Sequence, residues 1–212
     1  MIGALIPVKN LSFGKSRLSS ALGHRERESL SIFMLRHVLQ MLQDSARFDL
    51  IGLVTADERA AQIGREFGSE IVGEKNPGDL NRAVDHATAI CQSLGAQSLL
   101  VLPADIPLID IQDISRILAR LQAGARVVIC PSKEGTGTNA FLRTPPQVIP
   151  ARFGRNSFAL HCQAAKAEKI LYEVLSLPQV AFDIDTPEDL RKWLKWNVGS
   201  INPPTVSPSM VR

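Results

Sequence analysis

Leu99-Leu-Val-Leu-Pro-Ala-Asp-Ile-Pro-Leu108 is the stretch on which the fold turns. It opens on an apolar run without alternation, and a strand of that kind is covered on both faces, as in a parallel sheet. Pro103 and Pro107 then hold the backbone extended around Asp105, because proline fixes its own φ and restricts the residue before it. The run thus delivers a carboxylate beyond the C-terminal end of a buried strand. In open α/β sheets ligands sit at that end. Asp105 there suits Mg²⁺, which takes one carboxylate oxygen and leaves its other positions to water and phosphate. It equally suits an Asx-turn closing the strand.

Outward from this run, apolar segments and amphipathic segments alternate along most of the chain. Strands are predicted at Gly3–Val8, Leu50–Thr55, Glu70–Val72, Ser98–Pro103, Arg126–Pro131, Ala140–Arg143, Lys169–Val174 and Gln179–Asp183. Helices are predicted at Arg27–Gln43, Glu58–Phe67, Asp79–Leu94, Ile111–Ala123 and Ser157–Ala167, with a last one opened by Thr186-Pro187. The first places Leu30, Met34, Val38 and Met41 on one face. Such alternation implies an α/β fold, a mixed but mostly parallel sheet with helices on both faces. With 212 residues and 45% hydrophobic content, one domain over 1–198 is expected. A flexible tail over 199–212, rich in Pro and Ser, would follow it.

A net charge of +3 with no long Lys/Arg block argues against a nucleic-acid partner. Cys91, Cys130 and Cys162 lie far apart without C-x-x-C spacing, which points to free thiols rather than zinc. The N-terminus lacks a signal-peptide pattern and no long apolar run suggests a membrane span, so a cytoplasmic protein is expected.

Four further stretches carry candidate chemistry. Pro7-Val-Lys-Asn-Leu-Ser-Phe-Gly-Lys-Ser-Arg-Leu18 follows the first strand and concentrates Lys9, Lys15 and Arg17. Such a loop suits a polyphosphate, which needs donors spread along its length, or is simply a solvated surface loop. Its Gly14-Lys15-Ser16 ending imitates a P-loop, but Lys9 stands where the opening glycine belongs and Gly23 interrupts the required helix. Asp183 and Asp185, two apart in an extended segment, face the same side and would repel without a cation. Glu188 and Asp189 are explained by the cap of the last helix. Glu134-Gly-Thr-Gly-Thr-Asn-Ala140 offers hydroxyls and close backbone approach, or a hairpin turn. In Arg152-Phe-Gly-Arg-Asn-Ser-Phe-Ala-Leu-His161, Ser157 reads as an N-cap with no acid in the turn that follows and cations before it, an arrangement that suits a small anion. Asn81, near another helix start, could face a base or ribose, although Asp79 as N-cap accounts for much of that segment.

Together these pieces resemble the 2-phospho-L-lactate guanylyltransferase family of deazaflavin coenzyme biosynthesis, whose bacterial members include phosphoenolpyruvate and 3-phospho-D-glycerate guanylyltransferases. The resemblance rests on Pro7-Val-Lys9 with Lys15-Ser-Arg-Leu18, Leu80-Asn81, Leu102-Pro-Ala-Asp-Ile-Pro-Leu108 and Gly135-Thr-Gly-Thr-Asn-Ala140. It continues through Phe153-Gly-x-x-Ser-Phe158 with His161, and Asp183-Ile-Asp-Thr-Pro-Glu-Asp-Leu190. It implies a nucleotidyltransferase fold, GTP as donor, Mg²⁺ as cofactor and a small phosphorylated acid as acceptor. By the same resemblance Lys9, Lys15 and Arg17 would hold the GTP phosphates, with Lys9, Lys15 and Asp105 acting in catalysis. Asp105, Asp183 and Asp185 would hold the metal. Thr138, Gly154 and Ser157 would seat the acceptor, with Arg152 and His161 beside them and Asn81 toward the nucleotide. A homodimer is compatible with all of this. A nucleotidyltransferase for a sugar phosphate or molybdopterin, or a nucleotide-binding module without turnover, are the competing readings. The full set of metal-type carboxylates argues against the module.

Overall fold

A computed structural model describes residues 1–12, 14–73 and 78–196, so the expected tail lies outside the described residues, as do Phe13 and Pro77. In chain order the elements are β1 (Ile2–Pro7), a 3₁₀ turn (Ser16–Leu18), α1 (His24–Asp44), β2 (Leu50–Thr55), α2 (Glu58–Glu66) and β3 (Glu70–Gly73). There follow α3 (Leu80–Ser93), β4 (Ser98–Val101), α4 (Ile111–Gln122), β5 (Val127–Pro131), β6 (Thr138–Arg143) and α5 (Ser157–Ala167). The chain ends in β7 (Tyr172–Val174), α6 (Pro178–Ala181) and α7 (Pro187–Trp196).

The seven strands form one sheet in the order β3-β2-β1-β4-β6-β5-β7. All pairings are parallel except those of β6, which runs antiparallel to both β4 and β5. The chain thus winds outward one way from β1 and then crosses to β4, making the β1–β4 junction the point where strand order reverses. A crevice opens at such a point.

Strand alternation sorts the core into two layers. Ala4, Ile6, Leu53 and Leu100 join the side chains of α1, α2 and α4 on one face. Leu5, Val54, Leu99 and Val101 meet α3 and α5 on the other. At Gly64 helix α2 lies so close to the sheet that a Cβ would sit 2.7 Å from Ile71 Cδ1, and a larger residue would have to displace that side chain. A third cluster joins Leu18 and Leu22 of the loop after β1 to Leu30 and Met34 of α1 and to Ile184, Leu190 and Trp193 around α7. It fastens the cationic loop to the segment that carries Asp183 and Asp185.

The segment Gln179–Asp183, expected as a strand, instead holds most of the short helix α6 and then runs on extended. Pro178 stands in the helix's first turn, where its missing N–H costs nothing. The Asn139 side chain ends it by donating to the carbonyls of Val180 and Ala181, each at 3.1 Å. The strand expected from Lys169 is confined to β7, because Lys169 takes a left-handed φ of 54° at the turn after α5. Ser157 opens α5 rather than capping it, and Asn156, with φ 60°, holds the cap position.

Candidate active site

The loop leaving β1 is built rather than free. Val8 donates to the Val54 carbonyl at 2.8 Å, and Leu11 donates to Asp57 Oδ2 at 2.9 Å. The other oxygen of Asp57 caps α2 through the amide of Ala60 at 3.0 Å. Past this anchor Lys15 adopts a left-handed φ of 55° ahead of the 3₁₀ turn, which aims its side chain back under the loop.

There Lys15 Nζ lies 2.6 Å from Asp105 Oδ2 and 2.8 Å from Asp185 Oδ1. Its side chain is only 10% exposed. Burial alone pulls its pKa down, but Asp105 and Asp185 outweigh burial and hold it above the ordinary lysine range. Asp185 moves the other way: burial raises it, yet Lys15 and, more weakly, Arg17 and Lys133 bring it below the usual carboxylate value. Arg17 is exposed and stands 3.8 Å from Asp185.

Asp105 and the Asp183–Asp185 segment are tied by their backbones, because the Ile184 amide donates to the Asp105 carbonyl at 3.2 Å. Asp183 has partners of its own. It accepts from Asn139 Nδ2 at 3.3 Å and faces Lys133 at 3.7 Å. Burial, then the charge of Asp105, raises its pKa. Among the described residues no three carboxylates or imidazoles stand at metal-holding spacing. Of the three expected ligands, Asp105 and Asp185 converge on Lys15, while Asp183 contacts Asn139 and Lys133 and lies close enough to Asp105 to feel its charge. Hard oxygen donors converging on one cation fit Mg²⁺, which is commonly held by one or two carboxylates and completed by substrate phosphates.

These groups border a cavity of about 370 Å³ whose lining includes Lys9, Lys15, Arg17, Asp105, Asp185, Thr138 and Phe153. A second, of about 320 Å³, shares Pro7, Val8, Lys9, Asn10 and Leu80 with it and extends toward Asp57 and α3. The structure thus brings the cations, two acids and Thr138 into one cleft. Arg152, Gly154 and Ser157 are not among the residues lining it, although Phe153 in the same loop is; Ser157 is 1% exposed. Its amide donates to the Gly154 carbonyl at 3.2 Å, closing the turn that opens α5.

Two of the expected site residues have partners within the protein. Asn81 Nδ2 donates to the Phe153 carbonyl at 3.1 Å, and its Oδ1 accepts from the Phe153 amide at 2.6 Å. Both ends of the amide are used to pin the loop. His161 is fully buried, with Nδ1 at 3.0 Å from Thr138 Oγ1 and Nε2 accepting from the Arg152 amide at 2.9 Å. It cannot touch an acceptor and stands behind Thr138.

Sequence reading also missed two residues. Asp189, read as a helix cap, is buried and accepts from the Asp185 amide, the Thr186 amide and the Thr186 hydroxyl at one oxygen. Its other oxygen meets Lys133 Nζ at 3.0 Å, and the same ammonium donates to the Asp183 carbonyl at 2.6 Å. Lys133 and Asp189 together hold the loop that presents Asp185. The only hint was the acid four residues after Asp185.

The arrangement can bind a polyphosphate across the β1 loop and a divalent cation at the strand ends, and it adds the Thr138 hydroxyl to the lining. The model of the family described as guanylyl transferase CofC like matches residues 2–197. The chain belongs to this family. Relatives include a phosphoenolpyruvate guanylyltransferase of Rubrobacter xylanophilus, 37% identical over 89% of this chain and 91% of its own. A 3-phospho-D-glycerate guanylyltransferase of Colwellia psychrerythraea is 34% identical over 88% of each chain. Among solved structures, a protein of Desulfovibrio desulfuricans described as a nucleotide-diphospho-sugar transferase superposes with a TM-score of 0.76 at 17% identity, covering 100% of this chain and 94% of that one. A CMP:2-keto-3-deoxy-manno-octonic acid synthetase superposes with a TM-score of 0.62 at 15% identity, covering 94% and 99%. At those identities the likeness establishes the nucleotidyltransferase fold. With the family match, it makes this CofC-like chain a nucleotidyltransferase of the guanylyltransferase type. No helix among its described residues is long and apolar enough to cross a membrane.

Proposed function

We propose that this CofC-like protein transfers GMP from GTP to the phosphate of a small phosphorylated three-carbon acid, in the service of deazaflavin coenzyme biosynthesis. The observation that carries the reading is Lys15 held between Asp105 and Asp185 in the lining of the cleft. Relatives named for phosphoenolpyruvate and 3-phospho-D-glycerate support the acceptor class.

An oxygen of the acceptor phosphate attacks the α-phosphorus of GTP. The bond to the bridging oxygen of the β-phosphate breaks, and pyrophosphate leaves with that electron pair. A phosphate monoester is already anionic at neutral pH, so no general base is needed. Two anions must nevertheless meet, and the protein lowers that barrier by alignment and charge. Lys9 and Arg17 line the cleft from the exposed side and meet the outer phosphates. Lys15 lies deepest and stays protonated, so it stabilises charge gathering near the α-phosphate. Asp105 and Asp185, with Asp183 close by, would hold Mg²⁺, whose chemistry is to neutralise phosphate charge and polarise the reacting phosphoryl group. Thr138 supplies a neutral contact for the acceptor on the facing wall.

Mass spectrometry of the products formed from GTP, Mg²⁺ and phospholactate, phosphoenolpyruvate and phosphoglycerate in competition tests this directly. One guanylylated acid with equimolar pyrophosphate is expected. Intact GTP with all three acids, or turnover only with a sugar phosphate, would overturn the acceptor assignment.

A further inference from the structure

His161 stands behind Thr138, and its two nitrogens do different work. Nε2 accepts from the Arg152 amide at 2.9 Å. A backbone amide can only donate, so Nε2 carries no proton, and in a neutral ring the proton must sit on Nδ1. Nδ1 lies 3.0 Å from Thr138 Oγ1. With the proton on Nδ1 the imidazole donates and the threonine oxygen accepts. The hydroxyl's own proton is then left for another partner, and Thr138 lines the cavity that holds Lys15 and Asp105.

We propose that His161 is a positioning residue that fixes the Thr138 hydroxyl as a hydrogen-bond donor toward the acceptor's anionic group and sets the Arg152 loop beside it. The inference rests on the acceptor reading above for its substrate, but not for its tautomer.

The surroundings hold the ring in that state. It stacks on Phe141 with centroids 4.0 Å apart and an interplanar angle of 19°, and Phe153 meets it edge-on at 5.3 Å. Phe141 also lies under the guanidinium of Arg143, 4.8 Å from the ring centre. Arg143 is fully buried and makes no ion pair among the described residues; it donates instead to the Ile149 carbonyl at 3.0 Å and Thr88 Oγ1 at 3.1 Å. Burial first, then the charges of Arg143 and Arg152, push the His161 pKa down to about 3. A second proton on the ring would take away the Arg152 amide's acceptor and add a cation beside two others. A tertiary array thus keeps one hydroxyl pointing one way, which favours an acceptor offering a lone pair at that place.

The test begins with ¹⁵N NMR of histidine-labelled protein, which needs no substrate. A protonated Nδ1 and a bare Nε2, unchanged from about pH 8 to about pH 5, are expected, whereas an ordinary histidine titrates between. An Nε2–H tautomer, or titration near neutrality, would overturn the proposal even if guanylyl transfer is real. Kinetics follow. His161→Phe keeps a stacking ring and loses both hydrogen bonds, and Thr138→Val loses the hydroxyl. Each should raise KM for the acid about ten- to hundredfold while KM for GTP stays within about twofold. His161→Asn, which restores a donor at the place of Nδ1, should recover most of that loss. Equal damage to both substrates, or no recovery with asparagine, would mean His161 only supports the fold, and the proposal fails. Should His161→Phe not fold, Thr138→Val and the NMR result decide. A correct tautomer in a protein that transfers nothing to any acid would leave the ring chemistry standing and sink the acceptor reading instead.

Discussion

The side of the cleft that carries Lys15, Asp105 and Asp185 and the side that carries Thr138, backed by His161, are held together by different physics. On the first, side chains of opposite charge meet across 2.6–2.8 Å, and the acids remain partly open to water, at 31% and 41% exposure. On the second, the Thr138 hydroxyl, the His161 ring and the Arg152 amide are linked by hydrogen bonds of 2.9–3.0 Å, with His161 sealed from solvent. Charges beside water can exchange partners, an ammonium for a metal or a phosphate, at little cost. Buried hydrogen bonds cannot, because a lost partner leaves a desolvated group unmatched. The first wall is thus suited to binding ions that come and go with each turnover, and the second to keeping a fixed shape against which an acceptor is recognised.

The contrast can be broken most sharply at Asp105. Asp105→Asn should lower turnover by at least about 10²-fold. Far-UV circular dichroism should be unchanged, because this residue's side chain serves the cleft and not the core. Turnover near that of the unaltered protein would remove Asp105 from the chemistry.

Lys15→Met comes next and separates two roles of one ammonium. Turnover should fall by about tenfold or more. Mn²⁺ affinity of the nucleotide-free protein, read by electron paramagnetic resonance, should rise, since Lys15 Nζ is the cation that Asp105 and Asp185 now hold. Weaker Mn²⁺ binding would mean that these acids need the lysine to converge.

At Lys9 the expected change is smaller. Lys9→Gly, which would restore a P-loop pattern in Pro7–Leu18, should raise KM for GTP about tenfold, the loss of one charge-assisted contact. A gain in GTP use would show that the loop works as a P-loop after all.

Asp189 offers the smallest effect and the clearest sign. Burial raises its pKa, but the Thr186 and Lys133 hydrogen bonds outweigh this and hold it below the ordinary value of 3.8. A depressed carboxylate contributes stability above the unfolded-state pKa and loses it as pH falls through the folded one. Thermal unfolding of the unaltered protein should therefore weaken from about pH 4 downward. Asp189→Asn should be less stable at neutral pH and flatter across that acid range. Parallel pH profiles would show that Lys133 and Asp189 are not the clamp on the Asp183–Asp185 segment.

Most of the fold was legible along the chain because its signals are local. Leu99–Leu102 buries on both faces, and the apolar stripe of the first long helix emerges as Leu30, Met34 and Val38 in the core. Gln179–Asp183 misled because its apolar residues suit a strand and a buried helical turn equally, and the choice is made by the Asn139 amide, 41 and 42 residues away in sequence. Asp189 misled for a similar reason. A first-turn acid that caps a helix and one that also clamps a distant lysine look alike until Lys133 is brought to it by β5 and its turn.

By itself the sequence determined the alternation of strand and helix, the placing of Asp105 past the end of a buried strand, and the gathering of Lys9, Lys15 and Arg17 in one loop. These follow from residue periodicity and from proline and glycine restrictions, which act over a few positions. Only the tertiary structure decided which charges meet. Lys15 reaches Asp105 across 90 residues and Asp185 across 170, because β1 and β4 are neighbours in the sheet while α7 packs Trp193 in one cluster with Leu18 and Leu22 of the same loop. The structure likewise decided that His161 stands behind the cleft wall and not in it. Strand order and the stacking of one ring on another are set by the burial of the whole core, and no local pattern encodes them.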